Sequence, residues 1–95
     1  MTYRGAQNLI KRGDESSLRQ ALDTGLDPNL ANQNGWTLLM LAAVEGDVSI
    51  GRLLIEKGAG IDARNNKEDS ALTLATHRGY KLFVDLLALN GASAN

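Results

Sequence analysis

Apolar residues along this chain fall in short clusters at helical spacing, separated by polar stretches that carry glycine. The clusters are clearest as Ile50, Leu53 and Leu54, and again as Phe83, Leu86 and Leu87. Leu39, Ala42 and Ala43 follow the same rule, which puts three apolar side chains on one face of a short helix. The clusters are not independent of one another. Gly13, Gly46 and Gly79 stand 33 residues apart, and Gly25, Gly58 and Gly91 keep that interval. A period of this length predicts units that bury their faces against each other. Such stacks work mainly as binding surfaces.

The residues inside the period resemble a known family. Gly35-Trp36-Thr37-Leu38-Leu39-Met40-Leu41-Ala42-Ala43, followed by Gly46, is similar to the signature that opens the first helix of an ankyrin repeat. Leu53-Leu54, Gly58-Ala59 and Asp62 look like its second helix and closing loop. Ser70-Ala71-Leu72-Thr73-Leu74-Ala75, Gly79, Leu86-Leu87 and Gly91-Ala92 repeat the theme, and Gly13-Asp14, Ala21-Leu22 and Gly25-Leu26-Asp27-Pro28-Asn29 give a fainter first copy. The resemblance covers nearly the whole chain. It implies a single all-α domain over residues 1–95, an ankyrin repeat solenoid of three helix-turn-helix units with extended loop tips. The units run roughly over 1–31, 32–64 and 65–95. Helices are predicted near 6–12, 15–24, 38–45, 48–57, 71–78 and 81–90.

The chain departs from the family signature in ways that matter locally. Leu38 and Ala71 stand where the signature has proline, and Met40 and Thr73 where it has histidine. Thr37 and Ser70 remain to accept a bond from a free N–H at each helix start. Gly46 and Gly79 suit the left-handed end of a first helix, and Gly58 and Gly91 the end of a second. Asp14 and Asp47 then fall at N-caps of the following helices. The loop-tip glycine, Gly35, becomes Glu68 in the third unit. A side chain there meets a steric penalty if φ is positive, which predicts a different or looser third tip. Arg4 and Gly5 open the first unit poorly.

Composition narrows the function. Ninety-five residues suit one small domain, with a stability of about 5–14 kcal/mol on a per-residue scale, toward the lower end. Ten basic residues against eleven acidic ones leave no basic excess for a phosphate backbone, which argues against nucleic acid. No apolar run is long enough to span a membrane and no signal-peptide layout precedes the first repeat. With no cysteine in the chain, these features predict a cytoplasmic protein, or a nuclear one in a eukaryote, rather than a secreted one. No cofactor is expected.

Catalytic and metal chemistry find little support. His77 is the only histidine, and Glu45 or Asp69 are loose candidates to join it at a metal. The adjacent Arg78 opposes a bound cation. Glu68-Asp69 is an acidic pair on a loop, without a pocket to make it an acid/base site. Gly58-Ala59-Gly60 follows a helix, whereas a phosphate cradle precedes one. The expectation is no catalytic residue and no metal site.

The family resemblance instead implies a protein partner. Family members contact partners through variable residues at the loop tips and the inner helix surface. Here those positions are Tyr3, Lys11 and Arg12, then Gln33, Asn34, Trp36, Val44 and Glu45, then Asn66, Lys67, Asp69, His77 and Arg78. Trp36 is either an exposed anchor of the kind that dominates binding energy or a residue packed over its own loop. Lys11, Val44 and His77 form one column in the 33-residue register, and Arg12, Glu45 and Arg78 another. The second column is read either as an exposed salt-bridge ladder worth about 0–1 kcal/mol per pair, as a solvated charge row, or as a strip facing a ligand. Ser17 and Gln20 make the first unit polar enough for a terminal cap. Leu82 and Leu89 replace Ser49 and Glu56 and suggest an open C-terminal face, just before the chain stops at Asn95. That face points to a homodimer, a covering partner, or a longer array.

Overall fold

Five of the six helices begin at a side-chain oxygen that accepts a backbone N–H from the first turn. In the computed structural model, which describes residues 1–92, the helices are α1 (Tyr3–Arg12), α2 (Glu15–Asp23), α3 (Leu38–Glu45), α4 (Val48–Glu56), α5 (Ala71–Arg78) and α6 (Lys81–Leu89). Thr37 caps α3 through the Met40 N–H, and Ser70 caps α5 through that of Thr73, each at 3.2 Å. Asp14 and Asp47 cap α2 and α4 through Ser17 and Ile50. The sixth helix starts at Tyr80, which makes no side-chain cap bond.

The helix starts hold one correction. The first helix was expected from residue 6 and begins at Tyr3, because the Thr2 hydroxyl accepts the Gly5 N–H at 3.1 Å. It runs two residues longer than α3 or α5 at that end, out of register with the repeat. The second helices stop one residue short of expectation, since Thr24, Lys57 and Asn90 sit at C-caps rather than inside.

The helices form two layers. First helices α1, α3 and α5 pack side by side, second helices α2, α4 and α6 do the same, and each pair is antiparallel. Ala42, Ala43 and Ala75 are buried where the first helices approach. Ile10, Leu18, Leu38, Leu39, Met40, Ile50, Leu53, Leu54, Phe83 and Leu87 are fully enclosed between the layers and units. Among the described residues there is no strand, only an isolated bridge between Ala31 and Thr37 at the root of one tip. This is an all-α ankyrin-type arrangement of three helical pairs.

Gly46 shows why a glycine recurs at the turn within each pair. Its φ of 69° is left-handed, and its N–H and that of Asp47 return to the carbonyls of Ala42 and Ala43. A Cβ would also stand 3.0 Å from the Tyr80 ring of the next pair. Both backbone and packing exclude a side chain here.

The two loop tips have the same construction, against expectation. The Asn32 side-chain oxygen accepts the N–H groups of Asn34 and Trp36, both at 3.0 Å. Asn65 does the same for Lys67 at 2.9 Å and Asp69 at 3.0 Å. The Gly35 N–H reaches the Asn32 carbonyl, and that of Glu68 reaches Asn65. Glu68 therefore adopts φ 65°, close to the 79° of Gly35, and the third tip keeps the backbone construction of the second. The asparagine and the Arg64 guanidinium, which donates to the Glu68 carbonyl at 3.0 Å, hold the residue in place. Because those bonds use backbone atoms, Glu68→Gly should retain them and relieve left-handed strain. We expect a gain of up to about 1 kcal/mol, after the greater chain entropy of glycine is offset. It should appear as a higher urea midpoint with an unchanged slope.

Candidate binding surface

The units are tied together outside the core as well as through it. The Asn66 N–H donates to the Asn34 carbonyl at 3.0 Å and its side-chain amide to Gln33 at 3.4 Å, which fixes one tip to the other. On the opposite side Asn29 donates to the Gly58 carbonyl at 3.1 Å and accepts the Gly60 N–H at 2.7 Å. These bonds tie the tips, and the loops that follow the second helices, into one framework.

The side chains singled out from the sequence divide into two sets on this framework. Lys11, Arg12, Gln33, Asn34, Glu45, Asn66, Lys67, His77 and Arg78 are exposed, while Val44 and Asp69 are half-buried. Tyr3 and Trp36 occupy equivalent positions in neighbouring units, and both are half-buried against the core. Trp36 therefore packs against the core while part of its side chain stays accessible. The Tyr3 hydroxyl is enclosed without a hydrogen-bond partner, and burial raises its pKa above the usual tyrosine value.

The Arg12–Glu45–Arg78 ladder does not form. Among the described residues no ion pair involves Glu45; Arg12 turns instead to Asp14 at 3.8 Å. Asp14 lies below the ordinary carboxylate range, chiefly because the side chain and backbone of Ser17 donate to it, with Arg12 adding a smaller effect. The column is an exposed row of charges that do not pair with one another. The ion pairs that do bridge units lie on the other layer, where Lys57 meets Asp23 at 2.6 Å and Arg19 meets Glu56 at 3.9 Å.

Several contributors to this surface were not singled out from the sequence. Arg4 and Asn8 precede Lys11 and Arg12 on α1 at four-residue and three-residue steps, so all four share one exposed face. Leu41 and Leu74 occupy the Asn8 position in α3 and α5 and are half-buried. The signal for them was the 33-residue register, read one helical turn before Val44 and His77. Among the described residues, no three His, Cys, Asp or Glu side chains lie close enough together to hold a metal ion. No helix is long and apolar enough to cross a membrane.

A family description of ankyrin repeats in three copies matches residues 7–95. The chain belongs to the ankyrin repeat family. Among similar proteins, the ankyrin repeat, SAM and basic leucine zipper domain-containing protein 1 of Oryctolagus cuniculus is 33% identical over 93 residues, covering 94% of this chain and 20% of that protein. The Drosophila melanogaster ankyrin repeat and KH domain-containing protein mask is 41% identical over 63 residues, 64% of this chain and 2% of its own length. The human NAD-capped RNA hydrolase NUDT12 is 42% identical over 60 residues, 63% of this chain and 13% of the hydrolase. The chain thus spans a fifth or less of each of these relatives.

Within this ankyrin stack, the departures from the family signature are accommodated at the caps. Met40, in place of histidine, turns its thioether to the Thr37 N–H at 3.5 Å, and Thr73 places its hydroxyl 3.2 Å from that of Ser70. The second helices require a further correction. Leu82 and Leu89 are 72% and 86% exposed, but they do not lie on the C-terminal end of the stack. Their counterparts Ser49 and Glu56 are exposed in the middle pair, which has neighbours on both sides, so this column faces outward. The column that faces the next unit is marked by Gly51, which lies against Phe83, and its counterpart on α6 is Val84. The end face is therefore built from Leu72, Thr73, Thr76 and Val84. Its hydroxyls are satisfied locally, with Thr76 donating to the Leu72 carbonyl at 2.7 Å. The stop at Asn95 lies outside the described residues.

Proposed function

We propose that this ankyrin domain is a non-catalytic protein-interaction module that presents its tips and first-helix surface to another protein. The observation that carries the reading is the division of labour among its side chains. Most apolar residues of the first helices and tips are consumed by the core, whereas Gln33, Asn34, Asn66, His77 and Arg78 stand exposed on a framework cross-linked from tip to tip. Such a framework loses little conformational freedom on association. Membership of a family built around protein binding supports the same reading, and the hydrolase activity named for one relative stays with that protein.

Trp36 provides the test, because it packs against the core and remains partly accessible at the foot of the tip. Affinity capture with wild-type and Trp36→Ala baits should show partner binding weakened by about ten-fold or more. The variant should remain folded, with a modest fall in thermal stability from the lost packing. Undiminished capture by a destabilised Trp36→Ala bait would reduce the residue to packing and remove it from the interface.

A second reading is self-association, favoured by the exposed Leu82 and Leu89 on the outer face of α6. Sedimentation separates the two. A concentration-dependent dimer abolished by Leu82→Ser with Leu89→Glu supports self-association, and a strictly monomeric parent excludes it.

A further inference from the structure

The cations of this chain are unequally divided between its two layers. Helices α1, α3 and α5 carry Arg4, Lys11, Arg12 and Arg78 against a single acid, Glu45. The second helices with their C-cap residues hold basic and acidic side chains in equal number, and several of them are paired. The whole chain is slightly acidic, so the excess on the first helices reflects placement rather than composition. Among the described residues Arg4, Lys11 and Arg78 make no ion pair, and the side chain of Arg12 is 66% exposed even with Asp14 beside it.

The order of charges across the units is as informative as their sign. One column reads Arg12, Glu45, Arg78, and the next reads Lys11, Val44, His77. Positive charge therefore sits on the two outer helices, and the middle helix opposes an acid at Glu45 while offering Val44 and Leu41. Leu74 continues that apolar strip onto α5. On the tip, Lys67 is outweighed by Glu68 and Asp69, so the tip carries one net negative charge and the basic excess is confined to the helices.

We propose that the partner engages this face with an acidic segment whose acids lie at its two ends and whose centre is aliphatic. The proposal rests on the protein-interaction reading above and specifies the kind of segment that face receives. Helices in contact lie about 8–10 Å apart, so the cations of α1 and α5 are separated by about 16–20 Å. An extended strand rising about 3.3 Å per residue covers that span in about five or six residues. A segment with acids at its centre would meet Glu45 and be disfavoured, which makes the pattern selective as well as attractive.

The test uses fluorescent synthetic peptides of one length titrated into the full chain and read by anisotropy. One has glutamates at both ends and leucines at the centre; a second has the same composition with the glutamates central. A third has lysines at the ends, and a fourth lacks the leucines. The first should bind tightest and should weaken as salt is raised. Lys11→Gln with Arg78→Gln should reduce its affinity about five-fold, with unchanged helicity and melting to show that the fold is retained. Glu45→Gln should improve binding of the acid-centred peptide. Equal or tighter binding of the lysine-ended peptide overturns the proposal, as does indifference to Lys11→Gln with Arg78→Gln. Equal binding of the leucine-free peptide also overturns it, leaving a plain polyanion surface, and so does failure to bind the first peptide at low salt. If a captured partner is lost with Trp36→Ala yet ignores both salt and the glutamine substitutions, the interaction module stands and this inference falls.

Discussion

Phe83→Ala is expected to lower the unfolding free energy by about 3–5 kcal/mol, the usual range for emptying a buried phenylalanine site. On a total of about 5–14 kcal/mol that is a large fraction of the stability of the domain. Phe83 is the largest fully enclosed side chain among the described residues, and its ring reaches across to Gly51 of α4 in the preceding pair. It stands where the other units carry Ser17 and Ile50. Repeat stacks are held by nearest-neighbour interfaces, so its removal should weaken the coupling of α5 and α6 to the rest. Urea unfolding would report the loss. Amide exchange should accelerate in α5 and α6 before α1 to α4. A loss below about 1 kcal/mol, or uniform acceleration along the chain, would show that Phe83 is not the main tie between these units.

The sequence made the architecture legible because its strongest constraints recur. Gly13, Gly46 and Gly79 must each be left-handed to end a first helix, and a backbone constraint met in every unit is marked in every copy. Thr37, Ser70, Asp14 and Asp47 were readable for the same reason, since each cap follows from a hydroxyl or carboxylate just ahead of an apolar cluster. What escaped was whatever the period does not repeat. Thr2 caps α1 two residues out of register, so the copies of its unit could not reveal it. Asn32 and Asn65 do repeat, yet their role depends on an oxygen bridging two backbone N–H groups, which spacing alone does not show. That missing bond is why Glu68 was expected to loosen its tip.

The candidate surface was less legible than the fold, for a different reason. Exposed residues are constrained by neither packing nor backbone, so register places them in columns without saying where their side chains turn. Arg12 pairs with Asp14 and not with Glu45, its neighbour in the column. Leu82 and Leu89 were recognisably unusual, but whether they face outward or toward a next unit depends on the rotation of α6 against α4. That rotation is set by Gly51 and Phe83, a contact between unlike residues that no periodic pattern announces.

Gly51→Leu is expected to destabilise the domain by about 2–3 kcal/mol, and Phe83→Ile in the same chain should restore at least half of it. Gly51 lies in the middle of α4, where glycine normally weakens a helix by about 1 kcal/mol relative to a good helix former. On propensity alone the leucine should therefore stabilise. The packing says otherwise: an added Cβ would stand 2.6 Å from the Phe83 ring and 3.1 Å from Leu86, before any larger side chain is considered. Overpacking of this kind costs about 1–3 kcal/mol or more. The first and second units solve the same junction with the opposite division of size. Leu18 occupies the Gly51 position and Ile50 the Phe83 position, and both are fully buried. The double variant copies that pair into the second junction. Chemical denaturation of the parent, both single variants and the double variant completes a thermodynamic cycle. A coupling that opposes the single losses by more than about 1 kcal/mol would establish Gly51 and Phe83 as one complementary pair. A Gly51→Leu variant more stable than the parent would instead show that α6 can move away from α4 at little cost, and that the glycine is there for some reason other than Phe83.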